Sequence, residues 1–188
     1  LLSDHGYHLG EKNITGKNTL WHESTRVPFI FTGPGVKEKG KSSFEAVELL
    51  DLYPTLIDLA GLPPKEGLEG TSLVNILQDV NSVKDFPALC SHGPGNHAVI
   101  NEQWRYIKYA DGSTELYNII ADPNEWKNLG GYEGYQSIIM EMDQYIPKEP
   151  ADPAPGNKVR LIEIIDGDIY WQGERIEPGT VIPMGEIK

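Results

Sequence analysis

The sequence predicts an α/β fold followed by a small antiparallel sheet, and three observations carry that prediction. Residues 27–31, Val-Pro-Phe-Ile-Phe, form a short apolar run with β-branched and aromatic side chains, stopped by Thr-Gly-Pro-Gly. The run reads as a buried strand ending in a turn. Residues 51–61, Asp-Leu-Tyr-Pro-Thr-Leu-Ile-Asp-Leu-Ala-Gly, read as a helix, and strand followed by helix is the alternation of an α/β layer. From about Ala88 the pattern changes to short β-type runs separated by turn signals.

Each element has its own local warrant. Residues 36–43 are rich in Lys and Gly and read as an exposed loop. In the helix that follows, Asp51 is the expected N-cap and Pro54 sits in the first turn, where a missing N–H is tolerated. Leu52, Leu56 and Leu59 make its apolar face, and Gly61 suits the position just past its end. A second short helix is expected over 72–79. Residues 98–100 are a β-type run. Residues 104–109 alternate aromatic or apolar with basic side chains, Ala-Asp-Gly-Ser makes a turn, and 115–119 complete an antiparallel hairpin. Residues 132–145 predict a helix with Ile138, Ile139 and Met142 facing inward.

The stretch 147–155 holds four prolines and reads as a linker. Beyond it, 159–165 and 169–171 flank Asp-Gly-Asp and suggest another hairpin, and 173–188 is turn-rich. The expected organisation is therefore 1–87 as an α/β part, 88–147 as an antiparallel sheet and helix, and 148–188 as a linker and hairpin-like tail.

Composition bounds the function. At 188 residues, with 39% hydrophobic and 23% charged residues, the chain has the make-up of an ordinary globular protein, one domain with at most a small appendage. A formal net charge of −12 argues against a nucleic-acid partner, which needs a basic face. No apolar run approaches the ~20 residues that span a bilayer, and no signal-peptide pattern opens the sequence. The single cysteine, Cys90, has no partner for an internal disulfide and reads as inert packing.

The richest stretch is residues 3–12, Ser-Asp-His-Gly-Tyr-His-Leu-Gly-Glu-Lys. Asp4 and His5 place a carboxylate beside an imidazole, which is metal-ligand chemistry, and the glycines let backbone approach a bound group. Lys12 or Lys17 can return to the same site as a point charge for an anion. A catalytic loop is normally preceded by the strand that carries it. None stands before Ser3, so the chain reads as the back end of something larger.

This stretch, Lys17, Ser-Thr-Arg-Val-Pro-Phe-Ile-Phe-Thr-Gly-Pro-Gly at 24–35, Leu-Leu-Asp-Leu-Tyr-Pro-Thr-Leu-Ile-Asp-Leu-Ala-Gly at 49–61 and Gly-Thr-Ser-Leu at 70–73 come in the order of the type I sulfatases, and the sequence closely resembles that family of the alkaline-phosphatase superfamily. Trp-Arg-Tyr-Ile-Lys-Tyr at 104–109, Glu-Leu-Tyr at 115–117 and Asp-Pro-Asn-Glu-Trp-Lys-Asn-Leu at 122–129 extend the resemblance to about residue 147. The Asp-His form of the first motif is most similar to the iduronate-2-sulfatase branch. The fold this implies is the C-terminal part of an alkaline-phosphatase-like sheet with helices, plus a small antiparallel sheet.

The resemblance also implies roles. Asp4 matches the family's calcium ligand, and His5 the position that faces both metal and sulfate. Lys17 matches the lysine that contacts the sulfate. The implied activity is hydrolysis of a sulfate ester, on a sulfated carbohydrate or an aryl sulfate, by a periplasmic or secreted parent enzyme. A hard dication and a lysine would neutralise the ester and hold it for attack at sulfur. Calcium prefers oxygen ligands, so His5 also fits a hydrogen bond to the sulfate or to the leaving oxygen. The family's nucleophile is a formylglycine made from Cys or Ser in Cys/Ser-x-Pro-x-Arg, and that motif is absent from these 188 residues. The expectation is a sulfatase C-terminal fragment with part of the calcium and sulfate site, no turnover of its own and weak metal affinity.

Two other readings compete. A superfamily phosphodiesterase or phosphonate hydrolase shares fold and metal chemistry, and a truncated pseudo-enzyme or interaction module would explain the missing nucleophile. His97, in Ser-His-Gly-Pro-Gly-Asn-His, is a candidate substrate contact; His92 shares that stretch. His8 reads as a loop or packing residue, His22 as a packing or surface residue, Lys12 as solvated, and Arg26 as a buried ion pair or a cap on backbone carbonyls. Trp104, Tyr106, Tyr109 and Tyr117 read as sheet core, with Asp122, Glu125 and Trp126 as a turn that locks it. An exposed sheet edge and apolar face predict self-association.

Overall fold

In the computed structural model, which describes residues 1–149, 162–171, 174–177 and 179, the chain forms two compact units, Leu1–Pro150 and Ala151–Lys188. The first unit begins with a tight loop in which β1 (His8–Leu9) pairs antiparallel with β2 (Thr15–Gly16). At its tip Lys12 and Asn13 take φ of 55° and 60°, a left-handed turn that asparagine adopts readily and lysine less so. The single-turn helix α1 (His22–Thr25) follows.

The strand expected over 27–31 does not join a sheet. Its one bridge sets Leu2 opposite Phe29, with Ile30 N donating to Leu1 O at 2.8 Å. Pro28 brings no N–H to a ladder, and among the described residues only the first three run beside this segment. Ile30 is accordingly left 54% exposed.

Helix α2 (Leu52–Leu59) is preceded by a 3₁₀ turn, Leu49–Asp51. Asp51 does not cap α2, as the sequence suggests. Its Oδ2 reaches back to accept from Glu48 N at 2.9 Å, in a capping box with Glu48. The predicted apolar face is also corrected. Leu56 is half exposed, and the buried position is Thr55, whose hydroxyl donates to Asp51 O at 2.5 Å and accepts from Leu73 N at 2.9 Å. A polar network ties this side of the helix to residues 71–73, which leaves the leucines at its margins. Gly61 does close the helix with φ 63°, and α3 (Val74–Gln78) lies within the expected second helix.

Four strands then form an antiparallel sheet in sequence order: β3 (Ala88–Ser91), β4 (His97–Ile100), β5 (Trp104–Lys108) and β6 (Thr114–Asn118). The hairpin expected from 104–119 is its second half, and β3 is a strand the sequence pattern did not single out. The period-two alternation of a strand puts Val99, Tyr106 and Leu116 on one face, with Leu129 and Met142. Helix α4 (Gln136–Asp143) covers that face through Ile138, Ile139 and Met142, as predicted, though it is shorter than the expected 132–145. The opposite face buries Ala98, Ile107 and Tyr117 against Leu20, just upstream of α1. Each large apolar side chain fully buried here contributes about 1.5–3 kcal/mol. The sheet is thus the surface on which the N-terminal loop rests.

The second unit contains β7 (Ile162–Ile165), β8 (Asp168–Trp171) and β9 (Glu174–Arg175), joined antiparallel in that order. Asp166 and Gly167, with φ of 53° and 88°, supply the two left-handed residues of a tight hairpin turn. The proline-rich linker from residue 150, the start of the predicted strand at 159–161 and residues 180–188 lie outside the described residues.

Candidate functional site

Three of the four sequence-predicted site residues come together. Lys17 Nζ lies 2.8 Å from His5 Nε2, and Asp4 Oδ2 is 3.9 Å from the same nitrogen. His5 Nδ1 is 2.7 Å from Gly6 O. A carbonyl can only accept, so Nδ1 carries the proton and Nε2 offers its lone pair to the Lys17 ammonium. The ring is therefore held in one orientation from both sides. Asp4 points outward, its side chain 85% exposed, free to meet a group approaching from solvent.

The loop that carries these residues sits directly on α1. Gly6 N donates to Ser24 O at 2.9 Å. A Cβ on Gly6 would fall 2.0 Å from Glu23 O, so only glycine permits this approach. His8 is buried, consistent with a packing role, and its Nε2 pairs with Thr19 Oγ1 at 2.9 Å. Thr19 Oγ1 in turn donates to Ser24 Oγ at 2.7 Å.

Several neighbouring residues depart from expectation. Lys12 is not a solvated lysine. Its ammonium donates to Glu125 O and lies 4.8 Å from the ring centres of both Trp21 and Tyr117, a cation–π enclosure that fixes the loop tip to the sheet. Arg26 is exposed and makes neither a buried ion pair nor a carbonyl cap; its Nη1 lies 3.2 Å from His22 Nε2. The buried arginine is Arg105, on β5, whose Nε is 2.5 Å from Glu125 Oε1. No sequence signal marks this pair, because Arg105 reads as one more basic residue in an alternating strand and Glu125 as part of a turn.

His97 stands apart from the trio. It lies in β4, 4% exposed, with Nδ1 2.7 Å from Ser91 Oγ on β3. Burial, and then the charge of Lys108 on the paired strand, hold its pKa below the ordinary histidine value. His97, expected as a substrate contact, is thus buried and bonded across the sheet to Ser91, apart from the other three. Cys90, on the same strand as Ser91, is half-buried, and burial pushes its thiol up, away from the reactive thiolate.

The calcium implied by the sequence resemblance does not fit the described residues taken alone. Calcium takes six to eight oxygens. Asp4 offers one carboxylate, His5 Nε2 is already engaged by Lys17, and among the described residues no three His, Cys, Asp or Glu side chains converge on a point that could hold a metal.

Comparison with known proteins places these features in a family. Residues 10–151 match the family model described as N-sulphoglucosamine sulphohydrolase, C-terminal. A sulfatase of Formosa agariphila is 42% identical over 151 residues, which cover 80% of this chain and 30% of that protein. A delta 4,5-hexuronate-2-O-sulfatase of Bacteroides thetaiotaomicron is 31% identical over 168 residues, covering 81% of this chain and 35% of that one. Among solved structures, a 2-O GAG sulfatase superposes with a TM-score of 0.64 at 29% identity, over 76% of this chain and 34% of its own. The chain thus spans about a third of the length of these relatives. No helix among the described residues is long and apolar enough to cross a membrane.

Proposed function

The chain belongs to the sulfatases, as a C-terminal sulfatase domain, and from that premise we propose that it supplies one side of a sulfate-ester site. The observation that carries this reading is the contact of Lys17 Nζ with His5 Nε2 beside an outward-facing Asp4. A sulfate oxygen is an anionic acceptor and a stronger partner for an ammonium than a neutral imidazole. When sulfate arrives, Lys17 turns to it and His5 Nε2 is released. The freed lone pair can then accept a proton or face a cation. Asp4 would supply one carboxylate to a calcium ion whose other ligands, like the formylglycine nucleophile, the described residues do not provide. When bound, that ion contributes charge neutralisation of the sulfate.

We further propose that the substrate is a 2-O-sulfated uronic acid of a polysaccharide, handled outside the cytoplasm. A curated relative and a solved structure carry 2-O-sulfatase names at about 30% identity, and the Asp4-His5 pair resembles the iduronate-2-sulfatase form of the motif. Within the first unit, the functional division falls near residue 87: the part before it carries the site loop, and the sheet after it braces that loop. Leu1, Leu9 and Phe44 in the earlier part are more than four-fifths exposed. Exposed apolar side chains of this kind favour self-association, which sedimentation over a concentration series would detect; a monomer throughout would contradict it.

The catalytic part of the reading is tested by assaying the 188-residue chain with an aryl sulfate and with a 2-O-sulfated disaccharide. The expected result is no turnover, because Cys/Ser-x-Pro-x-Arg is absent. Measurable hydrolysis would overturn the claim that the nucleophile lies elsewhere.

A further inference from the structure

Arg105 and Glu125 are buried, and their bonds lead towards the site. Both side chains are at most 4% exposed, with Nε and Oε1 2.5 Å apart. The side-chain hydrogen bonds that the pair makes among the described residues go to the segment that supports Gly6. Arg105 Nη1 donates to Leu20 O at 3.0 Å and to Thr25 Oγ1 at 2.9 Å. Glu125 Oε2 accepts from His22 N at 3.0 Å, at the first residue of α1. One ion pair on the sheet subdomain therefore holds α1 at both ends and just before its start.

Helix α1 has only four residues, too short to hold its own geometry, since a single turn fixes several residues for one internal bond. Its position is imposed from outside. The bond from Gly6 N to Ser24 O, and the close approach of Gly6 to Glu23 O, transmit that position to the loop. Gly6 O is in turn the acceptor that fixes the His5 ring. The backbone O of Glu125 adds a second anchor by accepting from Lys12 at the tip of the same loop.

We propose that Arg105 and Glu125 are positioning residues for the sulfate site: through α1 and Gly6 they set the tautomer of His5 and its alignment with Lys17. The proposal rests on the reading of Asp4, His5 and Lys17 given above. Three side-chain bonds of the pair reach Leu20, His22 and Thr25, the residues that frame the support of the loop. Buried ion pairs are in general weak stabilisers compared with well-packed apolar substitutes, and such substitutes provide the test.

The experiment uses the whole chain labelled with 15N-histidine and reads the ring nitrogens of His5 by NMR, with His97 as an internal control. In the unsubstituted chain the expected His5 signals are those of a single ring arrangement with the hydrogen on Nδ1, facing Gly6 O. In E125Q, and in the double variant R105M/E125M, the His5 signals move to a mixture of tautomers while those of His97 remain in place. The double variant carries no unpaired buried charge, so it decides the matter if E125Q fails to fold. Unchanged His5 signals in a folded R105M/E125M chain would overturn the proposal, whatever happened to its melting temperature. The underlying reading has its own control: in K17M the His5 signals should shift, and their constancy there would refute the Lys17–His5 contact independently of Glu125.

Discussion

Lys17 Nζ and His5 Nε2 stand 2.8 Å apart, twelve residues distant in sequence, on a loop whose fold is set by the helix beneath it. The ring's other nitrogen is held by the carbonyl of Gly6 at 2.7 Å. Under the proposed function this contact is the resting arrangement, which an anion at Lys17 and a cation at His5 would replace.

Gly6 is the joint between the loop and α1. In Gly6→Ala the new Cβ would meet Glu23 O at 2.0 Å and Arg26 O at 2.9 Å. Backbone on both sides must shift, at a cost of about 1–3 kcal/mol, as overpacking usually does. Urea denaturation should show that loss, together with a displaced His5 signal.

Calcium should bind the chain weakly, because Asp4 alone supplies a free carboxylate at the trio. If the dissociation constant lies near a millimolar, 1 mM calcium stabilises the fold by about 0.4 kcal/mol, from RT ln 2. Thermal melts with and without calcium should therefore nearly coincide. A large upward shift that disappears in Asp4→Asn would show a complete site within these residues.

Asp51 is the main polar anchor of the α/β part. It is fully buried and accepts from Glu48 N, from Thr71 N at 2.7 Å and from Lys84 Nζ at 2.9 Å. Asp51→Ala leaves the buried Lys84 ammonium unpaired, and the expected loss is about 3–5 kcal/mol. Lys84→Met keeps both backbone donors on the carboxylate and should cost less. Denaturant midpoints of the two variants measure the difference.

His97 gives stability a pH dependence of defined sign. Its folded pKa is lowered, first by burial and then by Lys108. The unfolded chain therefore binds more protons once pH falls below the ordinary value of 6.5. The contribution is fully present above that pH, declines as pH drops towards the folded value and then levels off. In His97→Gln the fall in stability between pH 7.5 and pH 5 should be shallower than in the unsubstituted chain. The loss of the Ser91 bond costs about 1 kcal/mol at every pH.

Family membership and the trio were legible because they rest on ordered motifs, with Asp4, His5 and Lys17 inside one loop. The antiparallel hairpin over 104–119 was legible because alternation and an Asp-Gly turn are local signals. What local pattern does not encode was missed. Residues 27–31 have strand composition but among the described residues meet only a three-residue neighbour, so burial did not follow. Leu56 has helical spacing, yet Thr55 takes the buried position because Asp51 and Leu73 satisfy its hydroxyl. Glu125 and Arg105 are twenty residues apart and meet only in the folded sheet. His97 has a pocket-like glycine context, but strand pairing turns it inward to Ser91.

The account is tested most directly by titrating inorganic sulfate into the chain while following the His5 ring and Lys17 ammonium signals by NMR. Saturable shifts of both groups, abolished in Lys17→Met and absent at His97, are predicted. If sulfate leaves His5 and Lys17 unmoved at concentrations where the chain remains folded, the assignment of this loop as a sulfate site is wrong.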